Sequence, residues 1–235
     1  MSMKNVNVRQ LFDYETWTYT YLVWCSKTKD CLLIDPVYNQ INRDLELINK
    51  LKLNLIYLFE THVHADHITS ANLIKNKTNA KICYGSNTGV KGSDIYFEDN
   101  QEISLGELLI KVIHTPGHTL GCVSYHVDGF LFTGDTLFIG GTGRTDFQGG
   151  SAENTYDSVT KKIFTYSDDT IIYPGHNYQG LTCSTILEEK QTNPNVGINI
   201  SKEQFIENEK NIKKRPYPKK FDVAVPANME CGLKE

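Results

Sequence analysis

One stretch of the sequence decides the fold: Leu55-Ile56-Tyr57-Leu58-Phe59-Glu60-Thr61-His62-Val63-His64-Ala65-Asp66-His67. Its first part is nearly continuous in apolar residues, which is typical of a β-strand buried on both faces. Its second part places four potential metal ligands within six residues. Each buried imidazole or carboxylate needs a polar partner, and a shared cation supplies one partner to several of them. The stretch therefore predicts a buried strand that ends directly in a metal site.

The same pattern of an apolar run followed by a polar turn recurs three more times. The turns are Pro116-Gly117-His118, Thr133-Gly134-Asp135 and Pro174-Gly175-His176. Each contains a glycine, which lets the backbone approach a neighbour closely. Imidazoles and carboxylates without cysteine suit zinc, iron or manganese and leave coordination positions open, as a catalytic metal requires. The four segments together predict a catalytic metal centre.

The remaining hydrophobic pattern predicts one α/β domain over residues 1–235, with residues 183–235 as a short helical and extended C-terminal extension. One helix carries Ile41, Leu45 and Ile48 on a single face, and Ser201 with Gln204 forms a capping box that opens another helix, reaching to about residue 210. The proline-containing basic segment 213–220 is predicted to be extended. Further helices are predicted at 153–165 and 185–190, and further strands at 21–25, 31–36, 81–85, 108–114, 122–127, 130–133 and 170–173.

Composition excludes several classes of function. The chain has 235 residues and a formal net charge of −4, which argues against nucleic-acid binding because that requires clustered lysine and arginine. No apolar run is long enough to span a membrane, and the N-terminus lacks the features of a signal or transit peptide. The six cysteines are scattered without paired spacing, so we predict buried free thiols. We therefore expect a soluble intracellular protein, cytoplasmic by its sequence as given.

The four metal-binding segments resemble the motifs of the metallo-β-lactamase superfamily, which implies an αββα sandwich with the metal at one edge. Within that superfamily, the chain resembles the persulfide dioxygenase family over nearly its whole length. The resemblance extends from Arg9-Gln10-Leu11-Phe12 through Leu33-Ile34-Asp35-Pro36 to Val225-Pro226-Ala227-Asn228-Met229. Its most telling segment is Gly143-Arg144-Thr145-Asp146-Phe147-Gln148.

This resemblance implies a mononuclear iron enzyme. One Fe(II) per chain would be held by His62, His118 and Asp135, a set of two histidines and one carboxylate that leaves positions free for substrate and oxygen. The implied activity is the oxidation of glutathione persulfide by O2 to sulfite and glutathione. Family members are often mitochondrial and dimeric, so the resemblance also implies a homodimer and a mitochondrial location. The residues that would orient the iron ligands, or remain from a second metal site, are His64, Asp66, His67 and His176.

Three further residues are candidates for catalytic roles. Tyr178 resembles a family tyrosine whose hydroxyl reaches the substrate, and its alternative interpretation is a core tyrosine. Arg144 either anchors the charge of the substrate or pairs with Asp146 across a tight loop. We favour the pair and expect a loss of activity when Arg144 is changed. Thr142 stands where the family has a cysteine, so no role of that thiol applies to this chain.

The main alternative is a thioester hydrolase of the glyoxalase II kind, in which two metal ions (zinc, iron or manganese) share Asp135 and a bridging hydroxide attacks an acylglutathione. All seven ligands for that chemistry are present, but glyoxalase II has a longer helical part after the residue that matches His176. A β-lactamase is disfavoured because we find no signal peptide. A non-catalytic binding module is disfavoured because no ligand is missing.

Overall fold

Two six-stranded β-sheets stack on each other, and helices cover both outer faces. The computed structural model describes residues 5–211 and 216–233. The first sheet has the order β1-β2-β3-β4-β5-β6, and the second has the order β12-β11-β10-β9-β8-β7. The strands of the first sheet are β1 (Val6–Asp13), β2 (Thr18–Cys25), β3 (Asp30–Ile34), β4 (Asn54–Phe59), β5 (Lys81–Gly85) and β6 (Ile95–Phe97). The strands of the second are β7 (Glu102–Leu105), β8 (Leu108–His114), β9 (Val123–Val127), β10 (Phe130–Gly134), β11 (Ile171–Pro174) and β12 (Ser184–Thr185).

The helices form the two outer layers of an αββα sandwich, which confirms the predicted fold class. The first, second and sixth helices pack on the first sheet, and the other three pack on the second sheet. Among the residues that the structure describes, no helix is long and apolar enough to cross a bilayer. The helices are α1 (Ile41–Lys50), α2 (Ala71–Thr78), α3 (Ala152–Lys161), α4 (Ile186–Thr192), α5 (Lys202–Asn211) and α6 (Phe221–Asn228).

The strands contribute to two cores at once, because successive side chains point to opposite faces of a sheet. In β2, Tyr21 and Val23 enter the core between the two sheets, whereas Leu22 faces the helices outside the first sheet. In β3, Leu32 faces inward and Leu33 faces outward. This double burial explains why these strands are continuous runs of apolar residues in the sequence.

The predicted strands and helices are found, with local differences. β5 and β8 match their predicted bounds residue for residue, and Ser201 and Gln204 exchange both hydrogen bonds of a capping box (2.9 and 3.2 Å). The helix predicted at 153–165 ends at Lys161, and a separate short 3-10 turn follows at Ile163–Thr165. Of the segment predicted as extended, 213–215 lie outside the described residues, 216–218 have no regular structure and 219–220 form a turn before α6. The elements that the sequence did not predict are β1, β6, β7, β12, α2 and α6.

The polar turns that follow the strands meet at one edge of the sandwich. Two backbone hydrogen bonds connect this region: Gly175 N donates to Gly134 O (2.8 Å), and Val123 N, at the start of β9, donates to Thr61 O (2.8 Å). Gly134 has a φ of +50°, and a Cβ there would lie 2.5 Å from Thr61 Oγ1. Glycine is therefore required at this position, because both the backbone conformation and the space exclude a side chain.

Candidate metal centre

Three buried side chains from three different turns form a compact group at this edge. His62 follows β4, His118 follows β8 and Asp135 follows β10, and the potential ligand atoms of the three all lie within 4.8 Å of one another. The Nε2 atom of His118 is 3.6 Å from Asp135 Oδ2. Two imidazoles and one carboxylate in this arrangement can hold one divalent metal ion.

The ring of His62 is oriented by a hydrogen-bond chain that starts at Asp35. Thr61 Oγ1 donates its only hydrogen to Asp35 Oδ2 (2.8 Å), so the same hydroxyl accepts from His62 Nδ1 (2.9 Å). This bond leaves Nε2 of His62 as the nitrogen available to a metal. Burial, with help from His64, holds the pKa of His62 well below its usual value, so the ring is neutral as a metal ligand must be.

Backbone carbonyls orient two further imidazoles in the same way. His118 Nδ1 donates to the carbonyl oxygen of Arg144 (2.7 Å), and His176 Nδ1 donates to that of Trp17 (3.0 Å). The Nε2 atoms of both rings then face the carboxylate of Asp135 at 3.6 Å. Tethering of the remote ring nitrogen is typical of metal-binding histidines, because it fixes the tautomer and the ring plane.

The carboxylate of Asp135 also has the environment expected of a metal ligand. Its Oδ1 atom is buried and accepts no hydrogen bond from any residue in the described part of the chain. A buried carboxylate oxygen without a donor is costly unless a cation occupies the space beside it. Backbone packing holds the residue in place, since a Cβ on Gly143 would lie 2.1 Å from the Asp135 carbonyl oxygen.

A second group of potential ligands, which includes Asp66 and His67, lies beside the first, and these two side chains are hydrogen-bonded to each other. Asp66 Oδ2 accepts from Thr18 Oγ1 (3.1 Å) and from His67 Nδ1 (3.0 Å), and it is 3.6 Å from His176 Nε2. Burial lowers the pKa of His176, but Asp135 and Asp66 raise it by more, so the net pKa is raised. The protein itself thus supplies several partners to Asp66 at the second-site position.

His64 is turned toward two buried carboxylates. Its Nε2 atom is 3.1 Å from Asp35 Oδ1 and 3.3 Å from Glu60 Oε2. Burial lowers the pKa of His64, but Asp35 and Glu60 together raise it well above the usual value. Its ring also packs against that of His62, with centroids 4.1 Å apart. Neither Asp35 nor Glu60 is recognisable as a site residue from the sequence, because each is an acidic residue directly after a strand, and only the fold brings both to His64.

Comparisons with known proteins agree with this geometry. The model of the metallo-β-lactamase superfamily matches residues 17–176. Persulfide dioxygenase ETHE1 from Bos taurus is 41% identical over 97% of this chain and 89% of its own length, and its Homo sapiens counterpart is 41% identical over 96% and 89%. The crystal structure of ETHE1 from Myxococcus xanthus superposes with a TM-score of 0.94 at 44% identity, covering 97% of this chain and all of that one. The chain belongs to the persulfide dioxygenase family.

The persulfide dioxygenase fold leaves a small cavity over the metal-binding group. Its volume is about 130 Å³, and its walls include Phe138, Thr142 and Phe147 as well as the candidate ligands. Tyr178 lines the same cavity, and its ring lies parallel to that of His176 with centroids 5.9 Å apart. The side chain is 65% exposed, so the alternative interpretation of Tyr178 as a core residue is wrong.

Arg144 and Asp146 form the predicted ion pair at the rim of this cavity. Arg144 Nε and Nη2 donate to the two carboxylate oxygens of Asp146 (2.5 and 2.6 Å), and Nη1 donates to Pro216 O (2.9 Å). The guanidinium also lies over the ring of Phe147, 4.8 Å from its centroid. Because the backbone carbonyl of Arg144 holds His118, this pair stabilises the turn that orients a candidate ligand.

Trp17 is a site residue that the sequence did not reveal. It has a φ of +60°, which is unusual for a bulky side chain, and its carbonyl oxygen accepts from His176. Its indole is 43% exposed and contacts Tyr178, with ring centroids 6.3 Å apart. A tryptophan between polar residues gives no sequence signal of such a role, and only the folded chain brings it beside His176 and Tyr178.

Proposed function

We propose that this protein is a mononuclear non-haem iron dioxygenase that oxidises glutathione persulfide with O2 to sulfite and glutathione. The observation that carries the proposal is the group of His62, His118 and Asp135, whose free ligand atoms converge on one small cavity. The persulfide dioxygenases that align with 96–97% of the chain support the choice of substrate.

Fe(II) is the metal that a set of two histidines and one carboxylate with open positions favours. When bound, Fe(II) would supply the redox chemistry that joins oxygen atoms to the terminal sulfur of the persulfide. The protein would supply neutral imidazole nitrogens from His62 and His118 and one carboxylate oxygen from Asp135. The carbonyl of Arg144 and the hydroxyl of Thr61 would orient those rings toward the metal.

The small size of the cavity indicates that only the persulfide end of the substrate enters it. A volume of about 130 Å³ admits the terminal sulfur and its neighbouring atoms, while the peptide part of glutathione lies at the mouth. Phe138 and Phe147 provide apolar walls that limit water next to the reacting sulfur. Tyr178, at the rim, is placed to contact the substrate as it enters.

We infer one metal per chain, with the second group orienting the first through hydrogen bonds and ring packing. Asp66 receives hydrogen bonds from Thr18 and His67, and His64 faces Asp35 and Glu60. The relatives named as persulfide dioxygenases favour a persulfide dioxygenase over the glyoxalase II alternative. The homodimer and the mitochondrial location stay predictions, which sedimentation velocity and cell fractionation test directly.

Oxygen consumption by the purified Fe(II)-loaded protein tests the proposal. On adding glutathione persulfide, we expect oxygen uptake with sulfite formed in an equal amount, because oxidation of one sulfur to sulfite consumes one O2 and one water. His118→Ala should abolish both signals. His126→Ala is the matched control, since His126 lies on β9 and contacts Tyr166 rather than the metal-binding group.

The alternative outcome is equally specific. A folded, iron-replete protein that consumes no oxygen with the persulfide would contradict the proposal. Hydrolysis of S-lactoylglutathione by a form with two metal ions per chain would then favour the thioester hydrolase.

A further inference from the structure

The loop at residues 62–69, which we call the metal loop, has buried backbone carbonyl groups that accept hydrogen bonds from distant side chains. It is almost entirely buried, yet it belongs to no helix or strand that would satisfy its carbonyl groups. Buried carbonyl oxygens without donors are costly. Two distant side-chain amides supply donors: Gln148 Nε2 donates to Val63 O (3.0 Å), and Asn228 donates to the carbonyls of His64 and His67.

Asn228 makes the more extensive set of contacts. Its side chain is fully buried, its Nδ2 donates to His64 O and to His67 O (2.8 Å each), and its Oδ1 accepts from Thr69 N (2.9 Å). Both donor hydrogens and the acceptor oxygen of one amide are therefore used on one loop. An aspartate or a leucine of similar size cannot reproduce this pattern, because neither has two donors.

Asn228 is itself held firmly at the end of α6. Asn72 Nδ2 donates to the carbonyl of Glu230 (2.8 Å), and Gly232 N donates to Ala227 O (2.9 Å). Gly232 has a φ of +93°, and a Cβ there would lie 2.4 Å from Thr69 O, so the C-terminal segment is in direct backbone contact with the metal loop. The amide of Asn228 is thus a fixed point and not a mobile side chain that adapts to the loop.

We propose that Asn228 is a positioning residue of the metal centre. By fixing the carbonyls of His64 and His67, it sets the position of the His64 ring, which packs on His62 and on His67 with centroids 4.1 and 4.2 Å apart. Asn228 is absent from the residues that line the cavity, so it acts through the loop and touches no reacting atom. This inference rests on the proposed metal centre but not on the proposed substrate.

Metal binding by the metal-free protein tests the inference without any turnover. Asn228→Asp preserves the shape and the acceptor for Thr69 but turns an oxygen toward two carbonyl oxygens. We expect its affinity for Co(II), measured by chelator competition, to fall by roughly tenfold to a hundredfold, the range for residues that orient metal ligands. The visible absorption bands of bound Co(II) should also shift, because the geometry of the ligands changes.

Two further variants separate positioning from general loss of stability. Asn228→Ser introduces no buried charge and is to be used if the aspartate variant does not fold; it leaves both carbonyls without donors, so it should also weaken Co(II) binding and shift the absorption bands. Phe205→Leu, at the buried face of α5, should lower the melting temperature while leaving the affinity and the absorption bands for Co(II) unchanged.

The outcomes are distinct. If a folded Asn228 variant loses stability but binds Co(II) with the affinity and spectrum of the wild type, the inference is overturned. Wild-type protein that binds no Co(II) would instead contradict the proposed metal centre. Wild-type protein that binds metal but oxidises no persulfide would contradict the proposed substrate and leave the role of Asn228 standing.

Discussion

Replacement of Thr61 by valine would test whether the hydrogen-bond chain from Asp35 orients His62. The hydroxyl of Thr61 is buried between Asp35 Oδ2 (2.8 Å) and His62 Nδ1 (2.9 Å). Valine has nearly the same shape, so the change removes one donor and one acceptor with little effect on packing. The backbone bond from Thr61 N to Asp35 Oδ1 (2.7 Å) is retained.

The expected magnitude follows from the groups left without partners. The N–H of His62 and one oxygen of Asp35 would both be buried and unsatisfied, and each such group costs about 1–3 kcal/mol. Without a fixed tautomer, His62 should also bind metal about tenfold to a hundredfold less tightly, or roughly 1.4–2.8 kcal/mol. Denaturant unfolding of the metal-free protein measures the first effect, and chelator competition with Co(II) measures the second.

Thr20→Val is the matched control for this experiment. Thr20 is also fully buried and donates to Asp35, but to its backbone carbonyl (2.8 Å), with no imidazole on the other side. We expect this variant to lose stability and to retain metal affinity. The reasoning would be refuted if Thr61→Val bound metal as tightly as the wild type, or if Thr20→Val weakened binding by the same factor.

Two other predictions concern stability and the rim of the cavity. Burial raises the pKa of Asp44 from 3.8 to about 6 despite the adjacent Arg43, so the folded state binds this proton more tightly than the unfolded state. The resulting stabilisation, of the order of 3 kcal/mol, is complete below about pH 4 and is lost as the pH rises through about 6. Asp44→Asn should therefore flatten the pH dependence of unfolding across this window, and an unchanged slope in urea titrations would contradict the assignment. Arg144→Lys keeps the charge but loses the bidentate hydrogen bonds to Asp146 and the stacking of the guanidinium on Phe147. We expect the melting temperature to fall by a few degrees, on the order of 1 kcal/mol, and the rate of persulfide oxidation to decrease. Unchanged values in calorimetry and in the oxygen assay would refute this.

Much of the fold was predictable because the local signals were strong. Strands buried on both faces form nearly continuous apolar runs, as in β5 and β10, and each of these two strands ends in a glycine. The missed strands β6 and β7 are short and only partly buried at sheet edges, so they lack that pattern. The helix α6 was missed because Pro226 lies inside it, and a proline in the sequence favours an extended segment.

The sequence by itself determined which residue types could bind a metal and in which order along the chain they occur. These residues could be recognised because each lies in a polar turn after a strand, and the ends of neighbouring strands meet at one edge of a sheet. The tertiary structure decided which nitrogen of each ring faces the cluster and what holds that ring. His118 is held by a carbonyl 26 residues away and His176 by one 159 residues away. Asn228 reaches the metal loop across 164 residues. Such contacts form only after the two sheets stack and the C-terminal helix docks, so no local pattern in the sequence encodes them.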